Sequence, residues 1–227
     1  MNIRNSIFAF VTLAAAFAFA DGGQKGSFTD PRDGKTYKTV KIGNQVWMAE
    51  NLNYKTANSY CYEDKPANCH KYGRLYTWAA AMDSAGIFSN AGKGCGSGVT
   101  CGASGTIRGV CPRGWHLPSD AEWEILFGSV GGKDVAGMKL KSKSGWYDDE
   151  GESSNGTDEY GFSVLQADFR FCDGYYHDDA KVAYFWASTY SGHDAYGLFF
   201  YAGTEGVYSG YHDKNDGFSV RCLRDSD

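Results

Sequence analysis

The sequence predicts an α+β fold, held in a single disulfide-bonded domain. Helical signals are confined to the middle of the chain, short β-forming segments bounded by Gly, Asp or Asn fill its last third, and seven cysteines are available to pair. Two to three short helices with antiparallel strands are therefore expected.

The first twenty residues read as an export signal. Arg4 supplies a positive start, Ile7 to Phe19 is apolar except for Thr12, and Ala18-Phe19-Ala20 is the small-x-small pattern that signal peptidases cut after. The apolar run is shorter than the roughly 20 residues of a bilayer span, which argues against an uncleaved anchor. The first cysteine, Cys61, comes too late for a lipoprotein anchor, and no later segment is apolar enough to span a membrane. Export followed by a periplasmic, cell-surface or secreted location is expected, with a flexible lead-in over residues 21–32. A formal net charge of −5 without a basic cluster argues against nucleic acid and anionic membrane as partners. Thirty glycines against four prolines, with many aromatic residues, favour short strands and tight turns over disorder.

Thr36 to Ile42 and Gln45 to Met48 are rich in β-formers and flank Gly43-Asn44, which reads as a hairpin. Residues 51–67 read as loop. Across Gly73–Met82, Leu75, Trp78, Ala79 and Met82 fall at i, i+3, i+4 and i+7, so a first helix is expected there. Residues 89–110 form a glycine-dense loop. Ser119 with Glu122 three positions on is a capping box, and Trp123, Leu126 and Phe127 give the second helix its apolar face before Gly131-Gly132 stops it. A short third helix is expected around Asp134–Lys141. Strands are expected at Phe162–Leu165, Phe169–Phe171, Ala183–Ser188, Gly197–Tyr201, Gly206–Tyr208 and Phe218–Leu223.

Seven cysteines in an exported chain imply disulfides. Cys61 and Cys69 flank a short polar loop, Cys95 and Cys101 a Gly/Ser loop, and both are natural local pairs. Cys111 and Cys222 are candidates for a long-range bridge. Cys172 is left over, either buried and inert or paired between chains.

Several blocks then resemble a known family. DGKTYKTVKIGNQVWMAENLNY (33–54), KYGRLYTWAAAM (71–82), VCPRGWHLPSDAEWEIL (110–126), DEYGFSVL (158–165), FWASTY (185–190) and GFSVRCLRD (217–225) look like the Fibrobacter succinogenes major paralogous domain, here spanning 33–225. The GWHLPSDAEWE and GFSVRC blocks are also similar to the formylglycine-generating, sulfatase-modifying fold, a relative of C-type lectins. The resemblance implies a C-type-lectin-like architecture and carries no activity with it, since fold does not supply function.

Chemistry is sparse. A formylglycine-type oxidase would need a copper-holding thiol pair near the C-terminal region, where only Cys222 and, fifty residues earlier, Cys172 occur. The His-x3-His-x-Glu cluster of iron-dependent relatives is missing, as are G-x-S-x-G, H-E-x-x-H and a P-loop. No catalytic residue and no cofactor are expected. Calcium is the one ion the acidic residues would suit: Asp148, Asp149, Glu150 and Asp158, with Asn215 and Asp216 before the last strand. His177, His193 and His212 each precede an Asp in a late turn, as good turn residues or, if the turns converge, as transition-metal ligands. His116 reads as structural.

The tyrosines of the late loops, 172–181, 189–196 and 203–216, are the strongest functional sign. Tyr175, Tyr176, Tyr190, Tyr208 and Tyr211, with His177, His193 and His212, would present flat rings with polar tips to a polysaccharide or a protein at the cell surface. The expectation is a non-catalytic binding module. A distant enzyme relative and a purely structural surface protein are the rivals.

Overall fold

The expected hairpin forms, and a further strand joins it. The computed structural model describes residues 23–148, 150–176 and 181–226. The export signal read over residues 1–20 lies outside them. β1 (Gln24–Thr29) pairs antiparallel with β2 (Thr36–Ile42), so part of the expected lead-in is an edge strand. β2 turns at Gly43-Asn44 into β3 (Gln45–Met48).

The stretch expected as loop carries β4 (Ser59–Tyr60), a short 3-10 turn (Tyr62–Asp64) and the start of α1 (Pro66–Tyr72). Pro66 suits the first turn of a helix, where its missing N–H costs nothing. Gly73 ends α1 at φ +77°, a conformation that also brings it against Asn51. The helix expected over Gly73–Met82 is a correction: Leu75–Thr77 forms β5, and only Trp78–Ala81 forms a one-turn helix, α2. β5 is drawn into a sheet by pairing with the C-terminal segment, Leu75 opposite Ser219 and Thr77 opposite Gly217. The Thr77 hydroxyl then accepts from the Ala80 N–H and starts α2.

β6 (Trp115–His116) precedes α3 (Asp120–Ser129), and α4 (Lys133–Leu140) follows it. The capping box at α3 is complete, with Ser119 accepting from the Glu122 N–H and Glu122 accepting from the Ser119 N–H. The late strands are β7 (Val182–Ser191), β8 (Asp194–Tyr201), β9 (Val207–Asp213), β10 (Gly217–Ser219) and β11 (Leu223–Arg224). Two expected strands are absent as ladders. Phe162–Leu165 and Phe169–Phe171 contribute only isolated bridges, through Val164, Asp168 and Arg170. The expected strand Phe218–Leu223 is two short strands belonging to different sheets.

Those sheets run β1-β2-β3-β11-β6, entirely antiparallel, and β4-β5-β10-β7-β8-β9, antiparallel except for β10 beside β7. Strand alternation sends successive residues to opposite faces, so both sheets serve two cores. Val40, Trp47, Phe185 and Phe200 join α3 and α4 around Trp123 and Trp146. Tyr37, Met48, Tyr184 and Trp186 face the other way, onto α2, Trp115 and the cystine-bearing loop. Two buried indoles of this core find acceptors, Trp78 Nε1 donating to Ala187 O at 2.9 Å and Trp186 Nε1 to Tyr76 O at 2.7 Å, whereas the buried Trp123 Nε1 has none among the described residues.

Three disulfides are present, Cys61–Cys69, Cys95–Cys101 and Cys111–Cys222. Cys172 is unpaired and exposed, which overturns its expected burial. No described helix is long and apolar enough to cross a membrane.

Replacing Cys111 and Cys222 together by Ala is expected to cost on the order of 4 kcal/mol of unfolding free energy, since the bridge closes a loop spanning 111 positions. Removing Cys61 and Cys69, only 8 positions apart, should cost less. Denaturant titration of both variants reads the order directly, and a reversed order would refute the loop-length argument.

Candidate binding site

The outer strands of the six-stranded sheet place the expected ring residues by their register. Phe199 pairs with Tyr208, Ala195 with His212 and Tyr196 with Tyr211. Alternation therefore puts Tyr208 and His212 on one face, together with Tyr184, Phe199 and Tyr201. Tyr211 and Tyr196 stand on the opposite face, where Lys133 of α4 reaches Ser209 at 2.7 Å.

On the first face the rings form a continuous terrace. Phe218 stacks on Trp186 at 4.0 Å between centroids and meets Tyr184 at 4.8 Å. Tyr184 meets Phe169 at 4.5 Å, and Phe169 meets Phe171 at 4.4 Å. In the other direction the Tyr184 and Tyr201 hydroxyls lie 3.4 Å apart, and the Tyr201 ring meets Tyr208 at 5.5 Å. The terrace rises from core to solvent: Phe218 is fully buried, Tyr184 is 8% exposed and Tyr208 is 49% exposed. Tyr201 and Tyr208 meet edge to face at 73°, so they present a stepped cleft and not a flat platform.

Two titratable groups border this terrace. His212 packs on Phe199 at 4.7 Å and on Phe218 at 5.2 Å, and its Nδ1 lies 3.9 Å from Asp216 Oδ2. Burial lowers the His212 pKa and raises that of Asp216 to about 6 against the pull of the Cys172 N–H, which donates to Asp216 Oδ1 at 3.0 Å. Asp213 and Asp173 push Asp216 further up. At neutral pH the pair therefore carries one charge, on the carboxylate.

The other expected residues go elsewhere. Tyr175 is 74% exposed on its loop. Tyr176 is committed to structure: its hydroxyl donates to Cys61 O at 2.9 Å and to Asp64 Oδ1 at 2.8 Å. Tyr190 donates to Cys101 O and packs on Trp78 at 5.5 Å. His193 is exposed in the two-residue turn between β7 and β8. His177 and Asp149 lie outside the described residues.

The acidic residues serve their own turns. Asp148 Oδ1 accepts from the Glu150 and Glu152 N–H groups, and Asp158 accepts from the Ser163 N–H and hydroxyl. Asn215 donates to Ser97 Oγ at 2.9 Å. Among the described residues, no three His, Cys, Asp or Glu side chains converge in an arrangement suited to a metal ion.

A second polar centre lies at the end of the other sheet. His116 is buried between Asp225, 2.7 Å from Nδ1, and Glu122, 3.0 Å from Nε2. Burial opposes protonation of the ring, but hydrogen bonds to the two carboxylates outweigh it and raise its pKa. Glu122 also pays a burial cost, which His116 and the Ser119 donors overcome, bringing its pKa down to about 2. Glu122 is thus both capping-box residue and clamp, tying the start of α3 to the C-terminal end.

Fold and site together define a disulfide-bonded α+β domain with an open, ring-lined face on its larger sheet. The chain belongs to the family described as the Fibrobacter succinogenes major domain, whose model matches residues 40–224. No curated protein and no solved structure matches it.

Two pH effects follow. His116 has a raised folded-state pKa, so its contribution is complete below pH 6.5 and is lost as pH rises through that raised value. Glu122 contributes above pH 4.5 and loses its share as pH falls toward about 2. His116→Gln is therefore expected to destabilise most between pH 4.5 and 6.5 and progressively less in alkali, as read by urea unfolding at several pH values. Asp216 also has a raised pKa, so stability is lost as pH climbs from 3.8 through about 6. Asp216→Asn should escape that loss, gaining up to about 3 kcal/mol at neutral pH and nothing below pH 3.8. An equal gain at both pH values would contradict the assignment.

Proposed function

We propose that the protein is an exported, non-catalytic module that holds a single glycan chain against the stepped face formed by Tyr184, Tyr201 and Tyr208. The observation that carries this reading is the terrace itself: rings that rise from buried Tyr184 through Tyr201 to half-exposed Tyr208, bordered by His212 and Asp216. Sugar rings offer C–H groups to aromatic faces and hydroxyls to polar neighbours, and both partners are adjacent here. The edge-to-face step favours one chain in a cleft over the flat surface of a crystalline polysaccharide. Three disulfides and the apolar N-terminal run support export, and a C-type-lectin-like reading of the fold fits a ligand on the late strands. A surface-exposed location follows from the same reading.

The His212–Asp216 pair favours a second reading, an enzyme that uses the two groups as acid and base. Affinity electrophoresis of the protein in gels holding soluble β-glucan, xylan or mannan separates the two. Retardation by one glycan, reduced on the order of tenfold by Tyr208→Ala and left unchanged by Lys93→Met, an exposed lysine outside the face, is the expected result. Release of reducing ends, abolished by Asp216→Asn, would support the enzyme instead. Absence of retardation by any glycan would overturn the proposal in favour of a protein-binding or structural role.

A further inference from the structure

A pocket on the far side of the C-terminal segment concentrates positive charge in a chain whose formal net charge is −5. Its walls include Lys35, Lys38, His70 and Lys71, with Glu50 as the one carboxylate and Arg221 in the lining. Lys71 and His70 sit in the last turn of α1, where cations are favoured anyway, so their presence alone decides little. Arg221 is different. It is fully buried, yet its three hydrogen bonds all go to neutral oxygens: Asn51 Oδ1 at 2.8 Å, Ser163 O at 2.8 Å and Phe162 O. A guanidinium has five N–H groups, and buried charges are ordinarily paired.

Among the described residues, no carboxylate lies at ion-pair distance from Arg221, Lys35, Lys38 or Lys71. Burial lowers the guanidinium pKa to about 9, so it stays a cation at neutral pH. Burial likewise lowers the pKa of Lys35, whose ammonium stands 5.0 Å from the Tyr37 ring centroid. The pocket lining therefore holds several cations for one carboxylate, with Asp158 and Asp33 acting on Arg221 and Lys35 only from outside it, and such a partly enclosed site concentrates anionic ligands.

Glu50 narrows the class. Its Oε2 accepts the Lys38 N–H at 2.7 Å, leaving its other oxygen to accept from hydroxyls while repelling a doubly charged phosphate. The cavity volume, about 190 Å³, is below the ~300–1,000 Å³ of sites for drug-sized ligands, so the occupant is a single small unit. We infer that this pocket binds a hydroxylated monocarboxylate of the uronate class, with its carboxylate toward Lys35, Lys38 and Lys71 over the field of Arg221 and its hydroxyls toward Glu50. The inference goes beyond the aromatic face and does not depend on it.

Titration calorimetry of the protein with sodium galacturonate at low salt tests it, with galactose and sodium sulfate as parallel probes. The expected result is binding of galacturonate alone, weakened at least tenfold by 0.15 M salt or by the exposed pair Lys38→Met and Lys71→Met. Lys93→Met, an equal loss of charge per residue on an exposed lysine outside the pocket lining, should leave it unchanged. Equal binding of galactose would overturn the charge argument, and equal binding of sulfate would reduce the pocket to a general anion site. No binding of galacturonate would refute the inference without touching the glycan proposal, whose readout is retardation lost in Tyr208→Ala.

Discussion

A chain that leaves one sheet at Ser219 and enters another at Leu223 has three residues in which to change partners. Ser219 pairs with Leu75 and Phe185, whereas Leu223 pairs with Trp47 and His116. Between them the backbone is not idle: Val220 O accepts from the Leu52 N–H at 2.9 Å and Cys222 O from the Met48 N–H at 3.0 Å. Cys222 is bonded to Cys111, and Arg221 holds the carbonyls of Phe162 and Ser163. The segment 161–165 has no ladder of its own, so a buried cation does what strand pairing does elsewhere. Truncating Arg221 would leave those carbonyls without their donor, and unsatisfied buried groups cost more than a lost contact. Sheet order, the long disulfide and the placement of 161–165 thus share one crossing point.

The crossing also explains why one domain has two cores. β7 over residues 182–187 and β8 over residues 197–200 run between α3 and α4 on one side and α2 with the cystine-bearing loop on the other, so successive residues there are all buried and the sequence reads as a nearly continuous apolar run. The alternation becomes visible only where cover ends. β9 is the edge strand, and there Tyr208 and Tyr211 emerge on opposite faces. The exposed rings are the margins of two buried aromatic clusters rather than a separate surface feature.

What the sequence revealed, and what it hid, follows the distance between interacting partners. The capping box at Ser119 and Glu122, the Gly43-Asn44 turn and the two short disulfides are local, and each is legible in a few residues. Leu75–Thr77 was misleading because its helical spacing is real, yet its decisive partners, Gly217 to Ser219, lie some 140 positions away. For the site, residue types named Tyr208 and His212 as ring residues and Asp216 only as an acidic candidate for calcium, and it is the fold that puts the two rings on one face with Asp216 beside His212. Two-residue periodicity in β9 already separates Tyr208 from Tyr211, and in β8 it would have added Tyr201 to the set. Nothing local reveals that Tyr176 and Tyr190 spend their hydroxyls on the carbonyls of Cys61 and Cys101, because those acceptors come from distant loops. The cationic pocket is equally hidden, since its lysines are scattered and the net charge is negative.

An exposed ring on a loop must be immobilised when it binds, and that ordering opposes association. Tyr208 begins from a different position. It is held in a strand by its partner Phe199, and its ring leans on Tyr201, whose hydroxyl meets that of Tyr184, which packs on Phe218 over Trp186. Each ring in this series is fixed by the one beneath it, down to an indole bonded to the Tyr76 carbonyl. Little conformational freedom is left for a ligand to remove. By the same reasoning Tyr175, 74% exposed, is the poorer anchor, because its backbone is tied within its own loop, the N–H to the Asp173 carboxylate and the carbonyl to the Phe171 N–H. A binding face that is continuous with the core gains preorganisation from the same packing that stabilises the fold, and a substitution at Phe218 or Trp186 would loosen both together.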